Sequence, residues 1–233
     1  MNDFALGLTV DHSDVSRGLS DIERKQLPMA TVWGLNDTAA DMLDHVQNRM
    51  EVVFDRPTRF TKNAFMVWRA NKKTMEARVQ ERPSVGSKHF LKVQEDGGAR
   101  PQTGMERMLG ATLPYEGLVS ALVPAAGAKL NAYGNWSPAQ RKQALSAASG
   151  AAQAAKSRAR YFVPDKRSNL SSGIWKRTGK GKREKLTKVA HFLDAAPSYT
   201  KRLGFFDGAQ EVFNEKFPAR FFAAFDRAMA SRK

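Results

Sequence analysis

The chain has 233 residues, of which 42 % are apolar and 26 % charged, and its formal net charge is +15. This is the composition of a folded chain with room for one compact domain or two small ones. Cysteine is absent, which excludes disulfides, thiolate-bound zinc, iron–sulfur clusters and thiol nucleophiles.

Met1 opens no signal-peptide pattern, and no run of about 18 apolar residues occurs, so neither secretion nor a membrane span is expected. His12, His45, His89 and His191 are scattered, without HExxH or His-x-His spacing, so no local metal site is predicted. The charge is uneven. Between Lys156 and Lys188 twelve Lys/Arg stand against only Asp165 and Glu184, a field that attracts a polyanion or an acidic protein.

Residues 1–15 carry little pattern and read as an arm. "SDIE" from Ser20 to Glu23 has capping-box spacing and predicts a helix start. Pro28 either kinks that helix or opens a second one at its first position. Met29, Val32, Trp33, Ala40, Leu43, Val46, Met50 and Val53 then form a helical stripe. Asp37, Asp41 and Asp44 lie away from it, beside His45. Three carboxylates at this spacing suit a metal, a solvated acidic face, or ion pairs to the basic half of a neighbour.

Pro57 ends the helix within a turn-like polar cluster. Phe65 to Val79 alternates as a hairpin around "NKK", with Arg69 and Arg78 on exposed strand faces. "KHFLKVQED" reads as a third strand, closed by Gly97-Gly98. Residues 97–135, rich in Gly and Pro, read as an extended excursion that makes sense against another subunit.

"SPAQ" at Ser137–Gln140 is a strong helix start, followed by an alanine-rich helix through Arg160. "RYFV", "SSGIWKR" and "KLTKVAHFL" read as strands, with His191 on a strand face. The last helix starts at Asp207 and carries Val212, Phe213, Phe217, Phe221, Ala224, Phe225 and Ala228 on one side, widened by Phe222. Pro218 should kink it or mark a restart. The fold class is therefore α+β: an antiparallel or mixed sheet flanked by long helices, in one domain over 16–233.

The glycine–lysine stretch 173–188 fits no nucleotide motif. A Walker A loop needs glycine where Ile174 stands and a hydroxyl where Gly181 stands, and no G-x-G-x-x-G occurs. No G-x-S-x-G elbow exists either. No cofactor is expected. The chemistry left is electrostatic: Lys176, Arg177, Lys180, Lys182, Arg183, Lys185 and Lys188 form a basic loop, with Trp175 beside it as a stacking platform. Two functions follow from the residues: nucleic-acid binding through 156–188, or a metal-dependent nuclease using Asp37 or Asp41 with lysines from elsewhere.

Four blocks point further. "KQLPMATVWGLNDTAADM" (25–42), "FDRPTRFTKNAF" (54–65), "RYFVPDKRSNLSSGIWKR" (160–177) and "SYTKRLGFFDGAQEVFNEKFPARFFAAFDRAM" (198–229) follow one another in an order that resembles the minor tail protein Z group of tailed bacteriophages. The resemblance implies a non-enzymatic virion protein of the head–tail joining, neck, adaptor or tail-completion kind, assembled in the host cytoplasm. It implies a sixfold or twelvefold homo-oligomeric ring that contacts portal, connector or tail proteins. It supplies no catalytic positions. In such a ring, Asp37, Asp41 and Asp44 are candidates to meet the basic 176–188 loop of the next subunit, and that loop is alternatively a candidate to face passing DNA.

Overall fold

The computed structural model describes residues 18–20, 22–86, 90–112, 119–148, 160–165 and 168–231. In chain order the principal elements are α1 (Leu27–Val53), β1 (Phe65–Trp68), β2 (Arg78–Glu81), β3 (Gly98–Ala99), α2 (Gly104–Thr112), β4 (Ala121–Pro124), α3 (Pro138–Ala148), β5 (Tyr161–Phe162), β6 (Gly173–Thr178), β7 (Lys185–Leu193), β8 (Ser198–Tyr199) and α4 (Ala209–Ala230). The fold is α+β, and every strand pairing is antiparallel. No helix among the described residues is long and apolar enough to cross a membrane.

The described residues fall into two compact units, where the sequence reads one domain. A helical unit lies within 1–53, 59–88 and 204–233, and a sheet unit within 54–58 and 89–203. The reason is α4, which returns to α1 and closes the helical unit from the two ends of the sequence.

In the helical unit, a π-helical turn (Ile22–Gln26) leads into α1, and residues 18–20 are already helical, ahead of the expected start. Pro28 is the second residue of α1, directly after the π-helical turn, and it carries no N–H to bond back into that turn. The buried face of α1 differs from the expected stripe. Val46 and Met50 are buried as read, but the first half buries Ala30, Gly34, Thr38 and Ala39. The cause is the partner helix: α4 brings Phe221 and Phe225, with buried Ala224 and Ala228 between them, against Ala30. Large rings on one helix require small residues on the other. A Cβ added at Gly34 would lie 3.0 Å from the Phe221 Cα, so glycine sets how closely the backbones approach.

α4 runs unbroken through Pro218, so the helix does not restart there. Its phenylalanines form a ladder, with Phe213 stacked on Phe217 at 4.9 Å between ring centroids and Phe221 on Phe225 at 6.4 Å. Asp207 does not cap it. Gly208, at φ 74°, is the residue before the first turn, while the Asp207 carboxylate accepts from Arg49 (2.7 Å) and its carbonyl from His45 Nε2 (3.0 Å).

The expected hairpin is present, with Phe65 opposite Glu81 and Trp68 opposite Arg78. Its return strand starts at Arg78 rather than near Met75, because Asn71 organises a wide turn. The Asn71 Oδ1 accepts from the Lys73 and Thr74 N–H groups, and Met75 sits at φ 48°. Asn36 of α1 clamps this turn by two bonds to Ala70, donating to its C=O (3.2 Å) and accepting from its N–H (2.7 Å).

The sheet unit is built on a four-stranded sheet in the order β4-β7-β6-β5, with β3 and β8 paired separately. Its core joins Leu109 of α2 and Ala144 and Ala148 of α3 to Tyr161, Ile174, Val189, Ala190 and Phe192 of the sheet. Ser137 caps α3 as expected, its Oγ accepting from the Gln140 N–H. The Gln140 Oε1 in turn accepts from the buried Trp136 indole (2.8 Å) and the Lys129 N–H (2.6 Å). The alanine-rich continuation over 149–159 lies outside the described residues.

Two readings are corrected here. "KVQED" is a helical turn (Lys92–Asp96), not a strand; Gly97 at φ 76° closes it, donating back to the Val93 carbonyl. The 97–135 excursion is not irregular throughout, since it contributes β3, α2 and β4. A capping box starts α2: Glu106 accepts from the Thr103 N–H (2.8 Å), and Thr103 Oγ1 accepts from the Glu106 N–H. The same carboxylate, only 2 % exposed, accepts a two-pronged bond from Arg100 and another from the Leu122 N–H of β4. Burial alone would raise its pKa. The Arg100 guanidinium and the N–H groups of Leu122 and Thr103 outweigh that and hold it at about 2.

Candidate functional site

The seven basic residues singled out in the sequence belong to an ordered ribbon, not a loop. Lys176 and Arg177 lie on β6, Lys185 and Lys188 on β7, and Lys182 and Arg183 in a 3₁₀ turn (Gly181–Arg183) that Lys180 precedes. The pairing runs Trp175–Lys188, Lys176–Thr187, Arg177–Leu186 and Thr178–Lys185. At the tip, the Glu184 N–H donates to the Gly181 carbonyl (3.0 Å), and the Thr178 hydroxyl donates to the Lys185 carbonyl (3.2 Å). Gly179 and Gly181 supply the left-handed backbone (φ 80° and 57°) that turns the chain this sharply.

The ribbon leaves the sheet at a bulge. Ile174 pairs with Ala190 and Trp175 with Lys188, so Val189 is an extra residue in β7, and both Val189 and Ala190 turn into the core. Gly173 faces this point at φ 149°, where a Cβ would run into the Ala190 carbonyl and the Lys188 side chain. Beyond the bulge, Phe162, Trp175 and Lys188 are in register across three strands.

The seven cations divide into two groups. Arg177 pairs with Glu184 (2.9 Å) and lies 4.9 Å over the Phe162 ring. Lys188 donates to the Ser171 hydroxyl (2.9 Å) and lies 5.9 Å over Trp175, and burial lowers its pKa. The other five, Lys176, Lys180, Lys182, Arg183 and Lys185, have no carboxylate partner among the described residues. Four of them are exposed, and Lys176 is half-buried. Lys156, Arg158, Lys166 and Arg167 lie outside the described residues.

Trp175 is not the open platform that the sequence suggests. It is half-buried, its indole N–H is tied to the Ser171 carbonyl (3.0 Å), and Lys188 lies over its ring. His191 is an exposed strand residue, as read, and burial together with the nearby Lys188 charge lowers its pKa.

The acidic residues are elsewhere, in the helical unit, and two of them are met within the chain. Asp41 takes a two-pronged bond from Arg220 of α4 (2.7 and 2.8 Å), which lowers its pKa. Asp37 lies 3.4 Å from Arg227, whose guanidinium covers the Trp33 ring at 4.5 Å. Asp44 is exposed. Asp41 and Asp37 thus each have a guanidinium of α4 beside them within the chain. Among the described residues no three His, Asp or Glu side chains gather into a metal site.

The apolar surface left uncovered in the helical unit has no signal in the sequence. Val52 is 86 % exposed, Phe206 73 % and Phe222 64 %, and Phe60 and Trp68 are about half exposed. Phe206 also borders a cavity of about 330 Å³ lined by Met42, Val46, Val79 and Phe205. Phe222, expected to widen the buried stripe of α4, instead points to solvent. No family model matches the chain, and neither a curated protein nor a solved structure matches it.

Proposed function

We propose that the chain is a non-enzymatic structural subunit of a tailed-bacteriophage virion, of the head–tail connector, neck, adaptor or tail-completion kind, and that it works by assembling into a homo-oligomeric ring. The observation that carries this reading is the uncovered apolar surface of the helical unit, with Phe206 and Phe222 its largest members. Isolated exposed apolar residues are ordinary, but here several large ones fall within one small unit, and one of them, Phe206, borders a cavity lined mainly by apolar side chains, as at a protein interface. The ordered succession of residue blocks along the chain points to the same class of assembly.

Native mass spectrometry and light scattering over a concentration series test it. The expected result is a closed oligomer with a single copy number, reduced to monomers by Phe206→Ser combined with Phe222→Ser while the circular dichroism stays unchanged. A protein that remains monomeric at about 100 µM, well above the micromolar range of weak interfaces, and that is missing from purified particles, overturns the proposal.

A further inference from the structure

We propose that the β6–β7 ribbon is a sequence-independent docking site for the phosphate backbone of duplex DNA. The inference stands on the sheet unit alone and goes beyond the ring reading, since it holds for a ring subunit or a monomer.

Three observations carry it. The ribbon presents Lys176, Lys180, Lys182, Arg183 and Lys185 with no carboxylate among the described residues to neutralise them, and its one acidic residue, Glu184, is taken by Arg177. Such charges gain from a polyanion by releasing its condensed counterions, which needs neither base contacts nor a pocket. Secondly, a two-stranded ribbon is narrow enough to enter a major groove about 12 Å wide or to straddle one backbone. The internal hydrogen bonds of the tip fix the backbone from which its cations project, so that backbone need not be ordered on binding.

Thirdly, the aromatic residues argue against single strands. Base-stacking platforms need open ring faces, whereas the Trp175 and Phe162 rings are half-buried and lie under Lys188 and Arg177. An acidic protein partner fits less well too. Interfaces between proteins are depleted in lysine and centre on apolar anchors, but the tip offers lysines, with Leu186 its only large exposed apolar side chain.

Fluorescence anisotropy of the full chain decides the matter, using two unrelated 20-base-pair duplexes, the matching single strands, and poly-glutamate as a protein-like polyanion. Equal binding of the two duplexes is expected, with log affinity falling linearly in log salt at a slope of about −3 to −5 for four or five neutralised phosphates. Replacing Lys180, Lys182, Arg183 and Lys185 together by Gln should flatten that slope by about 3 and weaken binding at ~50 mM salt about 100-fold or more. The control replaces Arg24, Arg69, Lys72 and Lys73, exposed cations of the helical unit, by Gln; it removes the same charge and should leave the slope nearly intact. Trp175→Phe should change nothing.

Equal losses from the ribbon and control variants would mean that only net charge matters, and would overturn the proposal. Tighter binding of single strands, abolished by Trp175→Phe, would overturn it in favour of stacking. Poly-glutamate binding as tightly as duplex would overturn it in favour of a protein partner. The thermal midpoint of each variant, read alongside, separates lost binding from lost fold.

Discussion

The α1–α4 pair and the β6–β7 ribbon handle charge and aromatic residues in opposite ways. In the helix pair, carboxylates of one helix meet guanidiniums of the other, and Phe222 is left in solvent. In the ribbon, cations stand on both strands without carboxylate partners, and the rings are tucked under two others, Arg177 and Lys188. A surface that has neutralised its own charge and exposed its apolar atoms is prepared for protein. A surface that has done the reverse is prepared for a polyanion. The +15 total is therefore a poor guide on its own, because it averages two surfaces that handle charge in opposite ways.

The sharpest test of what paired charge contributes lies in the buried cluster of the sheet unit. Glu106→Ala would leave Arg100 facing a protein interior without its counter-charge and should cost about 3–5 kcal/mol in urea unfolding. The same carboxylate makes stability depend on pH. Its folded pKa is depressed to about 2, so its contribution is complete above the ordinary carboxylate range near 4.5 and is lost as pH falls from there toward 2. The loss amounts to about 3 kcal/mol. Glu106→Gln should remove that acid-range slope, which unfolding curves at pH 6 and pH 3 would show.

Next in size is the helix contact. Gly34→Ala sets a methyl group 3.0 Å from the Phe221 backbone, and overpacking of this kind costs about 1–3 kcal/mol. If the loss is absent, the small-on-large packing of α1 against α4 is not what holds that unit together. Asp41→Asn breaks the two-pronged bond from Arg220, which is 48 % exposed on its side chain, and should cost only about 0.5–1 kcal/mol, less in high salt. Because the Asp41 pKa is depressed, that contribution is present above the carboxylate range and disappears on acidification. The smallest effect belongs to the ribbon: removing its four exposed tip cations should move stability by no more than about 0.5 kcal/mol. A large loss there would show that those charges serve the fold.

What the sequence revealed depended on how local the cause was. β6 and β7, and the start of α3 at Ser137-Pro138, were legible because alternation and capping are decided within a few residues. "T-G-M-E" at Thr103–Glu106 carries the same kind of local signal, but the surrounding glycines and prolines mask it, so the sequence pattern over α2 is that of an extended excursion. The buried face of α1 was not legible at all. Ala30 and Gly34 become core only because Phe221, almost two hundred residues later, arrives against them. For the same reason the ion pairs of Asp37 and Asp41 were not legible. Their partners, Arg227 and Arg220, sit on the far side of the sequence, on a helix whose polar face had no assigned neighbour. In the candidate site, the seven cations were found by composition, but which five remain unpaired required the positions of Glu184, Phe162, Trp175 and Ser171.

The extra residue at Val189 separates direction from composition. A bulge bends its strand and increases the local twist, so the outer half of the ribbon leaves the sheet at an angle that regular pairing would not give. Deleting Val189 would leave the pairs from Trp175–Lys188 outward with the same partners and every lysine in place, yet the tip would be aimed along the sheet. One missing valine would thus act as a change of bearing rather than of chemistry, and the ribbon can be pictured as a pointer whose angle is set at its root.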